Sequence, residues 1–279
     1  MEKIISIGSD IVLLPVAATL CAFSVYKNTR YYLEGTNNSD EVYKHYLHQQ
    51  NTEGKEHDIP ILFINGAGFN DTQFLYGKYC LSKNHNLIFS FNYDGMTGIF
   101  ADNNNGIDDI AGNELRNKIN SIKQLTNKNK IILIGHSMGS MIAAFYTENY
   151  SKVDDINVIK VVSIESPFGS SPLLNYIHQS VHPTIVKKLN LNSKRHIQMS
   201  NSCEGEKFRG ELKKKMDVSS TEYYCVWSEN DYAVSGSSGC ITDNPDRQFK
   251  RNYFGHYSSM LYGELWSQID KWITIKKSL

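Results

Sequence analysis

From residue 59 onward, short runs rich in apolar residues alternate with longer stretches whose apolar positions recur at helical spacing. The runs at 59–64, 86–91, 158–164 and 221–227 each predict a strand, and 248–254 predicts a last one. Residues 130–134 add four consecutive aliphatic residues behind Lys130, the pattern of a strand buried on both faces of a parallel sheet. Between the strands, a helix is predicted near 71–81. A second is marked by Ile107, Ile110, Ala111, Leu115, Ile119, Ile122 and Leu125, with Asp108 and Asp109 in its first turn and Lys123 near its end. Leu261, Leu265, Ile269, Trp272 and Ile273 mark a core-facing helix at the end. Strand, helix and strand in this order predict an α/β architecture: a mainly parallel central sheet flanked by helices, joined by right-handed crossovers.

The pattern also divides the chain. Residues 1–30 hold an apolar segment, densest at 4–26, in which Asp10 is the one charge and Pro15 interrupts. Its uncharged part, 11–26, falls short of the ~20 residues a spanning helix needs. Membrane association is the first reading, with Lys27 and Arg30 favouring a cytoplasmic flank. A cleaved signal, and hence secretion, is the second, although Met1-Glu2-Lys3 is a weakly positive start; a packed helix of a cytoplasmic protein is the third. Residues 31–58 read as a polar connector with a short helix near 40–50 and no chemistry. Residues 59–279 are then one domain, and 173–220 are the stretch that breaks its strand–helix alternation.

Composition narrows the function classes. Lysine and arginine balance aspartate and glutamate at 29 each, so the global field gives no reason to expect nucleic acid as a partner. Five scattered cysteines without a C-x-x-C pair argue against a zinc site or a disulfide framework, leaving Cys225 and Cys240 as a pair that could join. No H-E-x-x-H, Walker or dinucleotide fingerprint is present, so no metal or organic cofactor is expected.

The chemistry points to the end of the third strand. Residues 130–134 run into Gly135-His136-Ser137-Met138-Gly139 and then into a helix-prone segment rich in small residues. A serine hydroxyl is a poor nucleophile, so it has to be held on a sharp turn that projects it toward a base. Glycines at 135 and 139 remove the Cβ atoms that would collide where strand and helix pass, and the helix N-terminus aims its N–H groups at developing negative charge.

This strand–G-x-S-x-G–helix unit resembles the α/β-hydrolase superfamily, its lipase and esterase branches above all. The resemblance covers about 59–277 and implies an α/β-hydrolase fold with Ser137 as nucleophile. It implies an acid on the loop after a later strand, where Asp231 stands in a D-x-x-V context with Glu229 as fallback; Glu165 is a further candidate, but only one strand beyond the serine. It implies a base ahead of the last helix, which is His256 in Gly255-His256-Tyr257-Ser258. The order Ser137, Asp231, His256 is the order of that superfamily. His136, inside the elbow, reads as a packing or turn residue. The resemblance also places an oxyanion hole at the backbone N–H groups of Ala67 and Met138, worth about 3 kcal/mol each, with Asn65 where a histidine is common. Pro167 followed by Gly169-Ser170 is a further lipase-like feature.

In such proteins an insertion like 173–220 forms a cap or lid. Its apolar residues could line an acyl pocket and its lysines and arginines could approach anionic headgroups, or its helices could simply pack on the sheet. The implied activity is hydrolysis of carboxylic esters of lipid type through an acyl-serine, with no cofactor. A thioesterase or acyltransferase using the same residues is the alternative, and a silent hydrolase-fold binding protein is the rival from another class.

Overall fold

A computed structural model describes residues 59–67, 71–93, 105–188, 193–229, 231, 233–234, 236–251 and 256–275. The apolar segment 4–26 and the connector 31–58 lie outside the described residues. Among the described residues no helix is long and apolar enough to cross a membrane.

Among the described residues, six strands, β1 (Ile61–Ile64), β2 (Ile88–Phe91), β3 (Lys130–His136), β4 (Asn157–Ile164), β5 (Glu222–Ser228) and β6 (Gln248–Arg251), form one sheet in the order β2-β1-β3-β4-β5-β6. Every adjacent pair is parallel. The helices are α1 (Leu75–Leu81), α2 (Ile107–Ile110), α3 (Arg116–Thr126), α4 (Met138–Asn149), α5 (Pro172–Ser180), α6 (Pro183–Lys188), α7 (Lys194–Met199), α8 (Cys203–Asp217) and α9 (Gly263–Ile273).

Successive residues of a strand point to opposite faces, so each strand feeds two cores. Leu62, Ile64, Phe89, Phe91, Leu133 and Val161 face one layer, where Ile119 of α3, Met141 and Ile142 of α4, and Leu212 and Met216 of α8 cover them. Ile61, Phe63, Ile132, Ile134, Val162 and Val226 face the other, covered by Leu81 of α1 and by Leu265, Trp266, Ile269 and Trp272 of α9. Burial on both faces is why the strand sequences show no polar alternation.

The long helix expected at 107–125 is interrupted. Its axis widens into a π-helical turn over Ala111–Leu115, between α2 and α3. The apolar steps from 111 to 115 to 119 are both of four residues, which a widened turn keeps on one face.

The segment 173–220 forms α5 to α8. Of the two arrangements open to it, α8 takes the packed one: Leu212 and Met216 enter the core, and Phe208 stacks on Phe145 of α4 with ring centroids 5.5 Å apart. Two of its basic residues are engaged by other parts of the fold. The Lys194 ammonium lies 2.6 Å from Asp108 and 2.9 Å from Asp109, and Arg195 is buried with its Nε–H donated to the Asn105 carbonyl at 3.0 Å. A charge that finds carboxylates in the first turn of α2 is not free for headgroups. On α5, Leu173 and Tyr176 are exposed.

Because all strands are parallel, their C-terminal ends share one rim, and α4 starts there against β1 and β3. A Cβ at Gly139 would stand 2.4 Å from the backbone oxygens of Ile64 and Asn65. Gly139→Ala is expected to cost about 3 kcal/mol or more, read as a lowered urea midpoint. Gly210→Ala, in the exposed interior of α8 with nothing within 4 Å of the added methyl, should instead gain about 0.5–1 kcal/mol.

Candidate active site

Strand β3 delivers its chain to the rim between β1 and β4. The turn into α4 is tight enough that a Cβ at Gly135 would meet the Ser140 backbone at 2.5 Å. Ser137 takes up the turn at φ 52°, ψ −127°, a conformation that L-residues rarely adopt. It is held there from both sides. Its N–H donates to the Ile164 carbonyl of β4 at 2.8 Å, its carbonyl accepts from Ser140 N–H at 3.0 Å, and the Ser140 hydroxyl donates to the Gly135 carbonyl at 2.8 Å. The side chain of Ser137 therefore projects off the sheet.

The loop after β5 brings a carboxylate to the same rim. Asp231 Oδ1 accepts the N–H groups of Ala233 at 2.7 Å and Val234 at 3.2 Å, so the loop folds around its own acid. The Ser171 hydroxyl donates to the Ala233 carbonyl at 2.7 Å and pins this loop to the chain leaving β4. Oδ2 lies 2.7 Å from His256 Nδ1. An ionised carboxylate only accepts, so Nδ1 carries the proton, and Nε2 is left to accept the Ser137 hydroxyl at 3.0 Å. Ser137, His256 and Asp231 thus meet in one hydrogen-bonded run across 119 and 25 residues of sequence.

Burial by itself pushes the Asp231 carboxyl up. The His256 ring beside it, the hydrogen bonds from His256 and the Ala233 N–H, and a side-chain hydrogen bond with Glu165 outweigh that and hold it below the usual carboxylate range. Glu229, the fallback acid, faces Lys250 on β6 and is half exposed. Glu165 is buried behind Asp231 and accepts the Ser228 N–H at 3.2 Å.

On the other side of the serine, the loop after β1 passes close: a Cβ at Gly66 would lie 3.1 Å from Ser137 Cβ. Asn65, in the place of the common histidine, is buried. Its amide donates to the Gly66 carbonyl at 3.1 Å, and its own carbonyl accepts the Tyr93 hydroxyl at 3.0 Å. Ala67 follows in that loop, and Met138 opens α4, where first-turn N–H groups have no partner within the helix.

His136 does more than fill space. Its ring is fully buried, lies with its centroid 4.9 Å from that of His256, and bonds through Nε2 to the His256 backbone carbonyl at 2.8 Å. A carbonyl only accepts, so Nε2 carries the proton. Burial first, and then the neighbouring His256, push its pKa down to about 3, which keeps the ring neutral. Sequence reading gave Tyr93, Ser171 and this histidine no role at the site; the contacts that define them are long-range and leave no local pattern.

The sheet order, the strand–elbow–helix unit and the acid and histidine on successive rim loops decide the family of folds. This is an α/β hydrolase fold. Residues 95–220 match the family described as alpha/beta hydrolase of unknown function, DUF915. The Bacillus licheniformis lipase BlEst2 in mature form superposes with a TM-score of 0.60 at 15% identity, covering 78% of this chain and 93% of that one. The product of the gene lin2722 of Listeria innocua gives 0.53 at 15% identity, over 79% of this chain and 96% of that one. Est816, described as an N-acyl homoserine lactone degrading enzyme, gives 0.53 at 14% identity, over 77% and 93%. At these identities the likeness is one of fold. No curated protein sequence matches the chain. Among the described residues of this hydrolase fold, no group of three His, Cys, Asp or Glu could hold a metal ion.

The buried neutral His136 has a consequence for stability. Its proton affinity is lower folded than unfolded, so the unfolded chain takes up a proton that the native hydrolase fold does not as pH falls below 6.5. Its contribution is therefore present above pH 6.5 and is lost as pH falls toward 3, with a slope near its steepest of about 1.4 kcal/mol per pH unit. Urea unfolding between pH 6.5 and 4.5 should show a slope steeper in the wild type than in His136→Phe by up to that amount.

Proposed function

We propose that this protein is a serine hydrolase that cleaves carboxylic esters of lipid type through an acyl-serine intermediate. The observation that carries the reading is the hydrogen-bonded run Ser137–His256–Asp231 at the rim of the sheet. His256 Nε2 takes the Ser137 proton as Oγ attacks the ester carbonyl, and Asp231 holds the imidazolium that results. The Ala67 and Met138 N–H groups receive the oxyanion. His256 then protonates the leaving alcohol, and water repeats the cycle from the other side to free the acid.

Support for an ester comes from the lipase BlEst2 and the lactone-degrading Est816 sharing this fold, a lactone being a cyclic ester. Support for an apolar substrate comes from exposed apolar side chains, Leu173 and Tyr176 on α5 and Leu261 and Tyr262 soon after His256. An apolar segment at 4–26 that held the protein at a bilayer would suit such a substrate.

A fluorophosphonate probe tests the reading. Wild type is expected to label, with all labelling lost in Ser137→Ala; an unlabelled wild type would instead favour a binding protein. On p-nitrophenyl esters, Ser137→Ala, His256→Ala and Asp231→Asn should each lower kcat by about four orders of magnitude while each variant still unfolds in a cooperative urea transition. Turnover should rise from acetyl to octanoyl and longer chains. Turnover confined to acetyl and butyryl esters would refute the lipid part alone.

A further inference from the structure

One buried ionisable group at the rim has no part in that mechanism. Glu165 is the first residue beyond β4, takes a positive φ of 47° and is wholly shielded from solvent. Its placement is enforced. The backbone N–H donates to the Val226 carbonyl of β5 at 2.9 Å, and the side-chain Oε2 accepts the Ser228 N–H at 3.2 Å, where β5 ends and the loop bearing Asp231 begins. Glu165 is also one of the groups that hold the Asp231 carboxyl below the usual carboxylate range.

Two carboxyl groups in contact out of water do not both ionise; one keeps a proton. The surroundings decide which. Asp231 already receives the His256 Nδ1–H and the N–H groups of Ala233 and Val234, all of which favour its charged form. Glu165 has the Ser228 N–H on one oxygen, an arrangement a neutral acid satisfies while its O–H points elsewhere. A carboxylate offers about four acceptor sites, and with Glu165 as donor Asp231 has a fourth partner.

We propose that Glu165 is a positioning residue for the Ser137–His256–Asp231 run: a neutral carboxylic acid that is anchored by the Ser228 N–H and donates its O–H to Asp231. It fixes the plane of that carboxylate toward His256 and ties the acid-bearing loop to β4. The side chain touches neither substrate nor the reacting atoms, so it acts through Asp231. The inference rests on the ester-hydrolase reading for its kinetic consequence, but its hydrogen bond can be tested without turnover.

The test compares Glu165→Gln with Glu165→Leu. Glutamine keeps both contacts, since its carbonyl can accept the Ser228 N–H and its amide can donate to Asp231, and it stays neutral. Leucine is similar in size and removes both. Glu165→Gln should keep kcat within about 3-fold of wild type, whereas Glu165→Leu should lose about 30-fold in kcat with KM changed by less than about 3-fold. The second readout is the downfield proton resonance of the His256 Nδ1–H, recorded on the resting protein. It should stay in place in Glu165→Gln and shift or broaden in Glu165→Leu. Equal kcat and an unmoved resonance in both variants would overturn the proposal, and so would equal loss in both. Should the leucine variant fail to fold, Glu165→Gln decides alone: retained kcat and resonance support the neutral donor, and a loss above about 30-fold overturns it. If wild type takes no fluorophosphonate and turns over no ester, the hydrolase reading fails while the resonance still judges the contact.

Discussion

The contact on which the site depends is backbone against backbone. The first turn of α4 lies so close to the ends of β1 and β3 that only hydrogen fits at Gly135 and Gly139. That approach leaves Ser137 no choice but φ 52° and ψ −127°, a conformation costing about 1–3 kcal/mol that persists because the surrounding hydrogen bonds over-determine it. The Ile164 carbonyl and the Ser140 N–H hold the residue's two ends. A relaxed elbow would let the hydroxyl sink toward the sheet, away from His256. The parallel sheet supplies the rest, since its strands all end at the rim where the loops bearing Asp231 and His256 begin.

Around that elbow, three buried side chains tie separate parts of the chain together. Ser171 ties the Asp231 loop to the chain after β4, Glu165 ties β4 to the end of β5, and His136 ties the elbow to the His256 backbone. These bonds sit out of water, where each is strong and each unmade partner is costly. The arrangement fixes donors and acceptors in the resting protein, which is what the proposed reaction would require of a site that stabilises developing charge. His136 kept neutral by burial suits the proposed mechanism: a second positive ring 4.9 Å from His256 would compete with the imidazolium that the mechanism forms.

Much of this was legible in the sequence, for physical reasons. The runs at 59–64, 130–134 and 158–164 declare buried parallel strands because covering both faces removes polar alternation. The elbow is legible because its two glycines answer a local steric demand. Ser137 could be picked out by its elbow, and Asp231 and His256 by the resemblance to α/β hydrolases; that each follows a strand is why a parallel sheet brings them to one rim. What sequence could not carry is contact across distance. His136 reads as packing, and only the fold aligns its Nε2 with a carbonyl 120 residues away. Glu165 and Asp231 compete as acids on paper, whereas in space one touches His256 and the other stands behind it. Lys194 and Arg195 look like solvated charges until α2 presents Asp108 and Asp109 and the chain before α2 presents the Asn105 carbonyl.

The most direct test of the account is a crystal structure of the protein inactivated by an alkyl phosphonate, a mimic of the tetrahedral intermediate. The expected result is phosphorus bonded to Ser137 Oγ, a phosphonyl oxygen between the Ala67 and Met138 N–H groups, and His256 still bridging toward Asp231. Phosphorus on another residue, or a phosphonyl oxygen turned away from both N–H groups with His256 out of reach, would contradict it.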